Sequence, residues 1–248
     1  MQQNCLNCGA VLTENYCARC GQKSAVKRLN WDGFVEEVFH FFTHIEKGFL
    51  KTTIQLIVHP GSVMKNYLAG KRKIYHKPIS FFIIWVAIYL VVYNLGVAVS
   101  HYPNATTGAL FSFDAKSTVV LNKYRTLIEI LIIPLIAFID WLIVARPKLY
   151  YIEILSVFFY ITSFFYMLLI VLVLCFLLLN LNFRTDLFNM ISPIAYISWA
   201  AYAAYDFFRN YAIRFLVVRL TLAIAVGVSG YFFLVNLIIK LLVALHVG

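Results

Sequence analysis

The chain has 248 residues, of which 62% are hydrophobic and only 13% are charged, and its formal net charge is +10. Soluble domains are about 45–50% apolar and about 25% charged, so this composition excludes an ordinary water-soluble fold and indicates a bilayer as the solvent. The basic excess fits either a nucleic-acid surface or the flanks of membrane helices, and the positions of the charges decide between them.

Four cysteines near the N-terminus form two C-x-x-C pairs separated by eight residues: Cys5, Cys8, Cys17 and Cys20. This is the spacing of a structural zinc site, in which each pair of thiolates reaches the metal from one tight turn. Gly9 and Gly21 follow the pairs and allow the positive φ that such a turn requires. We predict a zinc ribbon over residues 1–24 that binds one structural zinc ion, with two disulfides as the alternative.

Residues 25–78 separate the ribbon from the first long apolar segment, and we predict cytoplasmic amphipathic helices that lie at the membrane interface or pack on the bundle. Asn30 suits a helix N-cap, and Gly70 suits a helix end. The basic residues before the first span are candidate ligands for anionic lipid headgroups or for a protein partner: Lys71, Arg72, Lys73 and Lys77. Because they adjoin a span, membrane phosphates account for them, and nucleic acid is not an expected partner.

Three potential metal ligands in this segment share one helix face: Glu37, His40 and His44. A second metal site is one interpretation of this spacing, and a polar stripe among aromatic residues is the other.

Motifs of the first 85 residues, taken together, resemble a known family. They are the C-x-x-C-G pairs, Gly48-Phe49-Leu50-Lys51-Thr52, Pro60-Gly61, Tyr67-x-x-Gly70-Lys71-Arg72, Tyr75 and Pro78. In this order they are similar to the bacterial membrane proteins grouped as domain of unknown function 3667. The resemblance implies a zinc ribbon, a Pro-Gly…Gly-Lys-Arg segment and several spans in the bacterial cytoplasmic membrane, and it implies no activity.

Five segments approach or exceed the ~20 apolar residues that a membrane-spanning helix needs, at residues 79–99, 126–144, 154–179, 187–205 and 215–239. The fourth is the least apolar. We therefore predict an all-α polytopic membrane protein, with a transmembrane bundle over residues 79–248. Cys175 lies in the third span, and we expect it to be a packing residue.

The basic residues divide unequally between the loops that these spans create. Sixteen Lys and Arg residues fall on the side of residues 1–77, and five fall on the other side. The positive-inside rule then places the N-terminus in the cytoplasm and the C-terminus outside. The reducing cytoplasm also favours zinc over disulfides.

A few polar side chains in the predicted spans are candidate functional groups: Glu129, Asp140, Tyr196 and Tyr202. Charged groups at bilayer depth are costly and often functional. However, Arg125 lies one turn before Glu129 and Arg146 lies six residues after Asp140, so both acids also fit an interfacial position. Glu153, at the start of the third span, is expected to be solvated. Pro134 and Pro193 are expected to kink their helices.

The sequence contains none of the common catalytic signatures, such as H-E-x-x-H, G-x-S-x-G or a Walker loop. It therefore favours a non-enzymatic docking or regulatory protein that uses the ribbon and the basic segment, with a homo-oligomer also allowed. A small transporter or lipid-handling protein is the alternative, suggested by the prolines and by the polar residues of the spans.

Overall fold

A computed structural model describes residues 3–26, 28–31, 48–99, 115–183 and 185–245, without the side chains of residues 3, 115–116, 118–123, 125–126 and 186. The described chain is mostly helical and carries a small cysteine-bearing unit at its N-terminus, as predicted. The predicted Glu37–His40–His44 face lies outside the described residues.

The N-terminal unit has little regular structure. Two short antiparallel strands, β1 (Gln3–Asn4) and β2 (Val11–Leu12), lie on either side of the first cysteine pair. Gly9 and Gly21 have φ of +75° and +71°, so both glycines adopt the predicted left-handed conformation directly after their cysteine pairs.

Two short helices precede the first predicted span. Helix α1 (Phe49–Val58) is followed at once by α2 (Pro60–Leu68), whose first residue is a proline, the residue best suited to that position. Gly70 follows the C-cap of helix α2 and terminates the helix as predicted. The N–H of Lys71 donates a hydrogen bond to the carbonyl of Asn66 there. The loop over residues 70–77 carries the predicted basic residues, and we call it the basic loop.

Four of the described helices are long and apolar enough to cross a membrane. Three of them are α3 (Pro78–Val99), α5 (Tyr151–Leu178) and α7 (Leu216–Ala244). The other is formed by α4 (Ala115–Asp140) together with its π-helical continuation (Trp141–Ala145), and its apolar part runs from Leu127 to Ala145. They correspond to the predicted first, second, third and fifth spans.

The predicted fourth span is also helical, as α6 (Asp186–Phe208), followed by a 3-10 turn (Arg209–Tyr211). Its 23 residues are sufficient in length, but it is not among the four helices that are apolar enough to cross a membrane by composition alone. That α6 crosses the membrane therefore remains a prediction. Asn, Ser and Tyr residues lower its apolarity, as the sequence indicates.

The core of the bundle is rich in aromatic residues where α3 packs on α5. The Phe82 ring lies 5.3 Å from Phe159 and 5.7 Å from Tyr166, and Phe81 lies 5.9 Å from Tyr160. The Phe82–Tyr166 and Phe81–Tyr160 pairs are edge-to-face, an arrangement that adds to the energy of burial. Helix α7 packs along α4 through a second group of buried residues: Ile128, Ile132, Val235 and Ile239.

Three segments that carry basic residues lie at the same end of the bundle: residues 70–77, 146–150 and 209–215. The Lys148 ammonium donates hydrogen bonds to the carbonyls of Tyr211 and Ala212, which joins the second segment to the third. The hydroxyl of Tyr160 donates to the carbonyl of His76, which joins the first segment to α5. We call this the basic end.

The outward faces of the bundle are apolar, as expected for helices in contact with lipid. Exposed residues on these faces include Leu95, Leu131, Val171, Ile194 and Phe233. Cys175 belongs to this surface: it is exposed, so the expectation that it packs inside the bundle was wrong. The residues next to Cys175 in the sequence are apolar, and an apolar sequence does not distinguish a core position from a lipid-facing one.

Candidate functional site

The four predicted cysteines converge on one point of the ribbon. All four sulfur atoms lie within 4.8 Å of one another. The Sγ of Cys5 lies 3.6 Å from that of Cys20, and the Sγ of Cys8 lies 3.6 Å from that of Cys17. An S–S bond is only about 2.05 Å long. The structure therefore holds four free thiols in an arrangement that a metal ion can join.

The pKa values of Cys17 and Cys8 are shifted in opposite directions. The backbone N–H of Cys20 lowers the pKa of Cys17, burial opposes this, and the N–H of Arg19 lowers it further, to about 7. For Cys8, the N–H of Ala10 lowers the pKa, but burial and the other three thiols raise it, to about 11. Four negative sulfurs at this separation repel each other, and a metal ion at their centre removes that repulsion.

The basic loop lies between the ribbon and the bundle. The Lys71 ammonium donates to Asn66 Oδ1 at 3.1 Å, and the Arg72 guanidinium lies 5.8 Å from the centre of the Tyr67 ring. Lys73 is exposed and Lys77 is half-buried. The loop therefore presents positive charge at the basic end of the bundle.

Glu153 is an ion-pair partner rather than a solvated group, so the expectation for it was wrong. It is 3% exposed, and its two carboxylate oxygens each accept a hydrogen bond of 2.6 Å from Arg28. This pairing raises the pKa of Arg28. Glu153 also accepts from the backbone N–H of Tyr150, which completes the N-terminal cap of α5. The segment after the ribbon is thereby fixed to α5.

Asp206 fixes the Pro60-Gly61 motif to α6. One carboxylate oxygen of Asp206 accepts a hydrogen bond of 2.9 Å from the N–H of Gly61, and the other forms an ion pair of 2.9 Å with Arg209. The carboxylate thus lies at the N-terminus of α2, where the helix dipole favours negative charge. A Cβ at position 61 would approach Asp206 to 2.5 Å, so only glycine fits this contact.

The two acids predicted in the spans occupy different surroundings. Glu129 accepts a hydrogen bond of 2.7 Å from the hydroxyl of Tyr166, which links α4 to α5. Asp140 Oδ1 is buried and has no hydrogen-bond partner among the described residues. It faces α7 beside Gly227. Arg146, six residues after Asp140, lies over the Trp141 ring, 5.7 Å from its centre.

The two predicted tyrosines of α6 have packing contacts. The Tyr196 ring lies 4.8 Å from Phe165 of α5. The Tyr202 hydroxyl donates to the carbonyl of Val58 at 3.2 Å and so attaches α6 to α1. Tyr202 therefore fixes α1 in place, and the structure does not bring it together with Asp140 and Glu129.

Two surface depressions lie among the described residues. One is on the ribbon, lined by residues 12–16 and Ser24, and the other lies beside the turn between α6 and α7.

These contacts define a class of protein: a helical membrane bundle that carries, at its basic end, a four-cysteine unit that could hold a metal ion. A model of the family described as "Protein of unknown function (DUF3667)" matches residues 46–90. The match includes the Pro60-Gly61 motif, the basic loop and the first half of α3, and it supports the predicted family. No curated protein and no solved structure matches the chain.

Proposed function

We propose that this chain is a non-enzymatic docking protein of the bacterial cytoplasmic membrane, and that its zinc ribbon and basic loop form the docking face. One observation carries the proposal: the cysteine cluster, the basic loop and the basic segments of the α4–α5 and α6–α7 turns are all gathered at one end of the bundle. Such a concentration of recognition groups on one face suits a docking role.

Zinc is the metal that suits the cysteine cluster. A regular tetrahedron with Zn–S distances of about 2.3 Å has edges of about 3.8 Å. The 3.6 Å separations of the Cys5–Cys20 and Cys8–Cys17 sulfurs are close to that value. Four thiolates leave no open position for water, so the zinc is structural and not catalytic.

The basic end faces the cytoplasm in this proposal. The unequal division of sixteen and five basic residues supports that orientation. A reducing compartment also keeps the ribbon cysteines available as thiolates for the metal.

Anionic phospholipid headgroups are the proposed ligands of the basic loop. Lys73 is exposed, and helix α1 beside it turns an apolar face outward, formed by Leu50, Ile54, Ile57 and Val58. An exposed apolar helix face near lysines is typical of a segment that lies in the headgroup region. Each basic residue near an anionic surface contributes about 1 kcal/mol.

Lipid selectivity in reconstituted membranes tests this proposal. The full chain is placed in phosphatidylcholine bilayers with trace spin-labelled phosphatidylglycerol or phosphatidylcholine, and the motionally restricted fraction of each probe is compared. We expect a preference for phosphatidylglycerol that weakens with salt and falls by up to about five-fold for each lysine removed in Lys73→Ala and Lys77→Ala. Lys240→Ala, an exposed lysine near the C-terminal end of α7, is the control. No preference in the wild type, or an equal loss in the control, would contradict the proposal.

A small-molecule or lipid-handling protein is the second candidate, and Asp140 is the observation that favours it. A buried carboxylate oxygen without a partner among the described residues is costly in an apolar bundle. A specific lipid or small molecule that remains bound to the purified chain and is lost in Asp140→Asn, but not in Lys73→Ala, would favour this candidate over docking.

A further inference from the structure

The ribbon holds the backbone of the basic loop through two amide side chains. Asn7 lies between the cysteines of the first pair, and Gln22 lies two residues after the second pair. Asn7 Oδ1 accepts a hydrogen bond of 3.2 Å from the N–H of Ile74, and Gln22 Oε1 accepts one of 3.2 Å from the N–H of Arg72. Both side chains are buried, with 9% and 3% exposure. They contact the loop and not solvent.

An apolar contact adjoins these hydrogen bonds. Leu6 lies against Gly70, because a Cβ added at Gly70 would approach Leu6 Cδ1 to 2.9 Å. That added Cβ would also lie 3.3 Å from Cγ1 of Val26. The ribbon therefore contacts alternate residues of the loop, at positions 70, 72 and 74.

The opposite side of the loop is attached to the bundle and to α1 and α2. The N–H of His76 donates to Thr52 Oγ1 at 2.8 Å, and the carbonyl of His76 accepts from Tyr160 of α5. Asn66 of α2 donates to the Tyr75 hydroxyl at 3.2 Å. The basic loop is thus held by the ribbon and also by α1, α2 and α5.

The ribbon depends on its metal for this contact. Its regular structure within residues 3–26 consists of two two-residue strands and an isolated bridge between Tyr16 and Lys23. A unit this small has too little core to fold alone, and in such units metal binding supplies the folding free energy. Asn7 and Gln22 adjoin the cysteine pairs, so their positions depend on the turns that the metal fixes.

We propose that metal occupancy of the ribbon controls the basic loop, so that the metal-bound ribbon holds Arg72 and Ile74 in place and metal release frees the loop. The protein then presents Lys71, Arg72 and Lys73 in a fixed arrangement only while the metal is bound. This inference rests on the metal site of the proposed function and is independent of its lipid ligand. A metal chelator or a thiol oxidant, by removing the metal, would free the loop through loss of the hydrogen bonds to Asn7 and Gln22.

Hydrogen–deuterium exchange of the full chain in lipid nanodiscs tests the coupling, with zinc present and after chelation. Chelation is expected to speed exchange in peptides that cover residues 3–26 and also in those that cover 70–77, by on the order of five-fold for each hydrogen bond lost. Peptides within α7, which packs along α4, are the internal reference and remain unchanged.

A double variant separates the contact from ribbon folding. Asn7→Ala with Gln22→Ala is expected to retain zinc and still speed exchange over residues 70–77, whereas Asn4→Ala, an exposed position on β1, leaves it unchanged. Unchanged exchange over 70–77, either after chelation that exposes the ribbon or in the zinc-bound double variant, would overturn the coupling. A purified chain that neither carries nor takes up zinc would instead refute the metal site, and the lipid measurement would still stand on its own.

Discussion

Replacement of Cys17 by serine is expected to remove the zinc and unfold the ribbon. Cys17 is 2% exposed and its sulfur lies 3.6 Å from that of Cys8, so the hydroxyl leaves three of four thiolates and a poor ligand at the centre of the cluster. Zinc binding in small zinc domains contributes about 10–16 kcal/mol to folding, so a large fraction of that energy is lost.

Metal analysis and limited proteolysis measure this effect. The zinc-to-protein ratio is expected to fall from one to near zero, and cleavage within residues 3–26 is expected to become rapid. Cys175→Ser is the matched control, since Cys175 is exposed on α5, away from the ribbon, and its loss leaves the zinc in place. A Cys17→Ser protein that retains one zinc and a resistant N-terminus would refute the metal site.

Replacement of Gly61 by alanine is expected to detach α2 from α6. The new Cβ would lie 2.5 Å from the backbone carbon and a carboxylate oxygen of Asp206, so α2 or the backbone of α6 must shift. Overpacking of this kind costs about 1–3 kcal/mol. Displacement also weakens the hydrogen bond from Gly61 to the Asp206 carboxylate, which caps α2.

Thermal unfolding in detergent checks this prediction, with a Tm expected to fall by several degrees. Gly230→Ala is the control, because a Cβ there meets only Ile136 and Ile139 side chains at 3.7 Å, an ordinary contact distance. Equal Tm values for Gly61→Ala and the wild type would mean that the contact between α2 and α6 does not contribute to stability.

The parts of the structure that follow from local pattern were predictable. The C-x-x-C-G pairs identify the cysteine cluster because the ligands and the glycines after them all lie between residues 5 and 21. Apolar runs of about 20 residues identify the spans because the thickness of the bilayer fixes their length. Gly70 ends α2 for the same local reason, since a helix end favours a residue with positive φ.

The contacts that assemble the basic end were not predictable, because their partners are far apart in sequence. Arg28 and Glu153 are separated by 125 residues, and Gly61 and Asp206 by 145. Glu153 carried one local signal, its position three residues after Tyr150, which suits a helix cap. Asp206 carried none, and neither did Asn7 nor Gln22, whose roles appear only when the ribbon contacts the basic loop.

The polar residues that were predicted as functional groups in the spans have different roles, and the sequence does not distinguish these roles. Tyr202 attaches α6 to α1 and Glu129 binds Tyr166, so both contribute to packing. Asp140 alone keeps a buried oxygen without a partner among the described residues. Sequence places all three at membrane depth and does not indicate which neighbouring helix each one faces.

Native mass spectrometry of the full chain, extracted gently from its own membrane, tests the central claim most directly. The docking account predicts one zinc ion per chain together with retained anionic phospholipid, and it predicts that Lys73→Ala with Lys77→Ala loses the lipid and keeps the zinc. A chain without metal, or one that retains neutral and anionic lipids equally, would contradict that account.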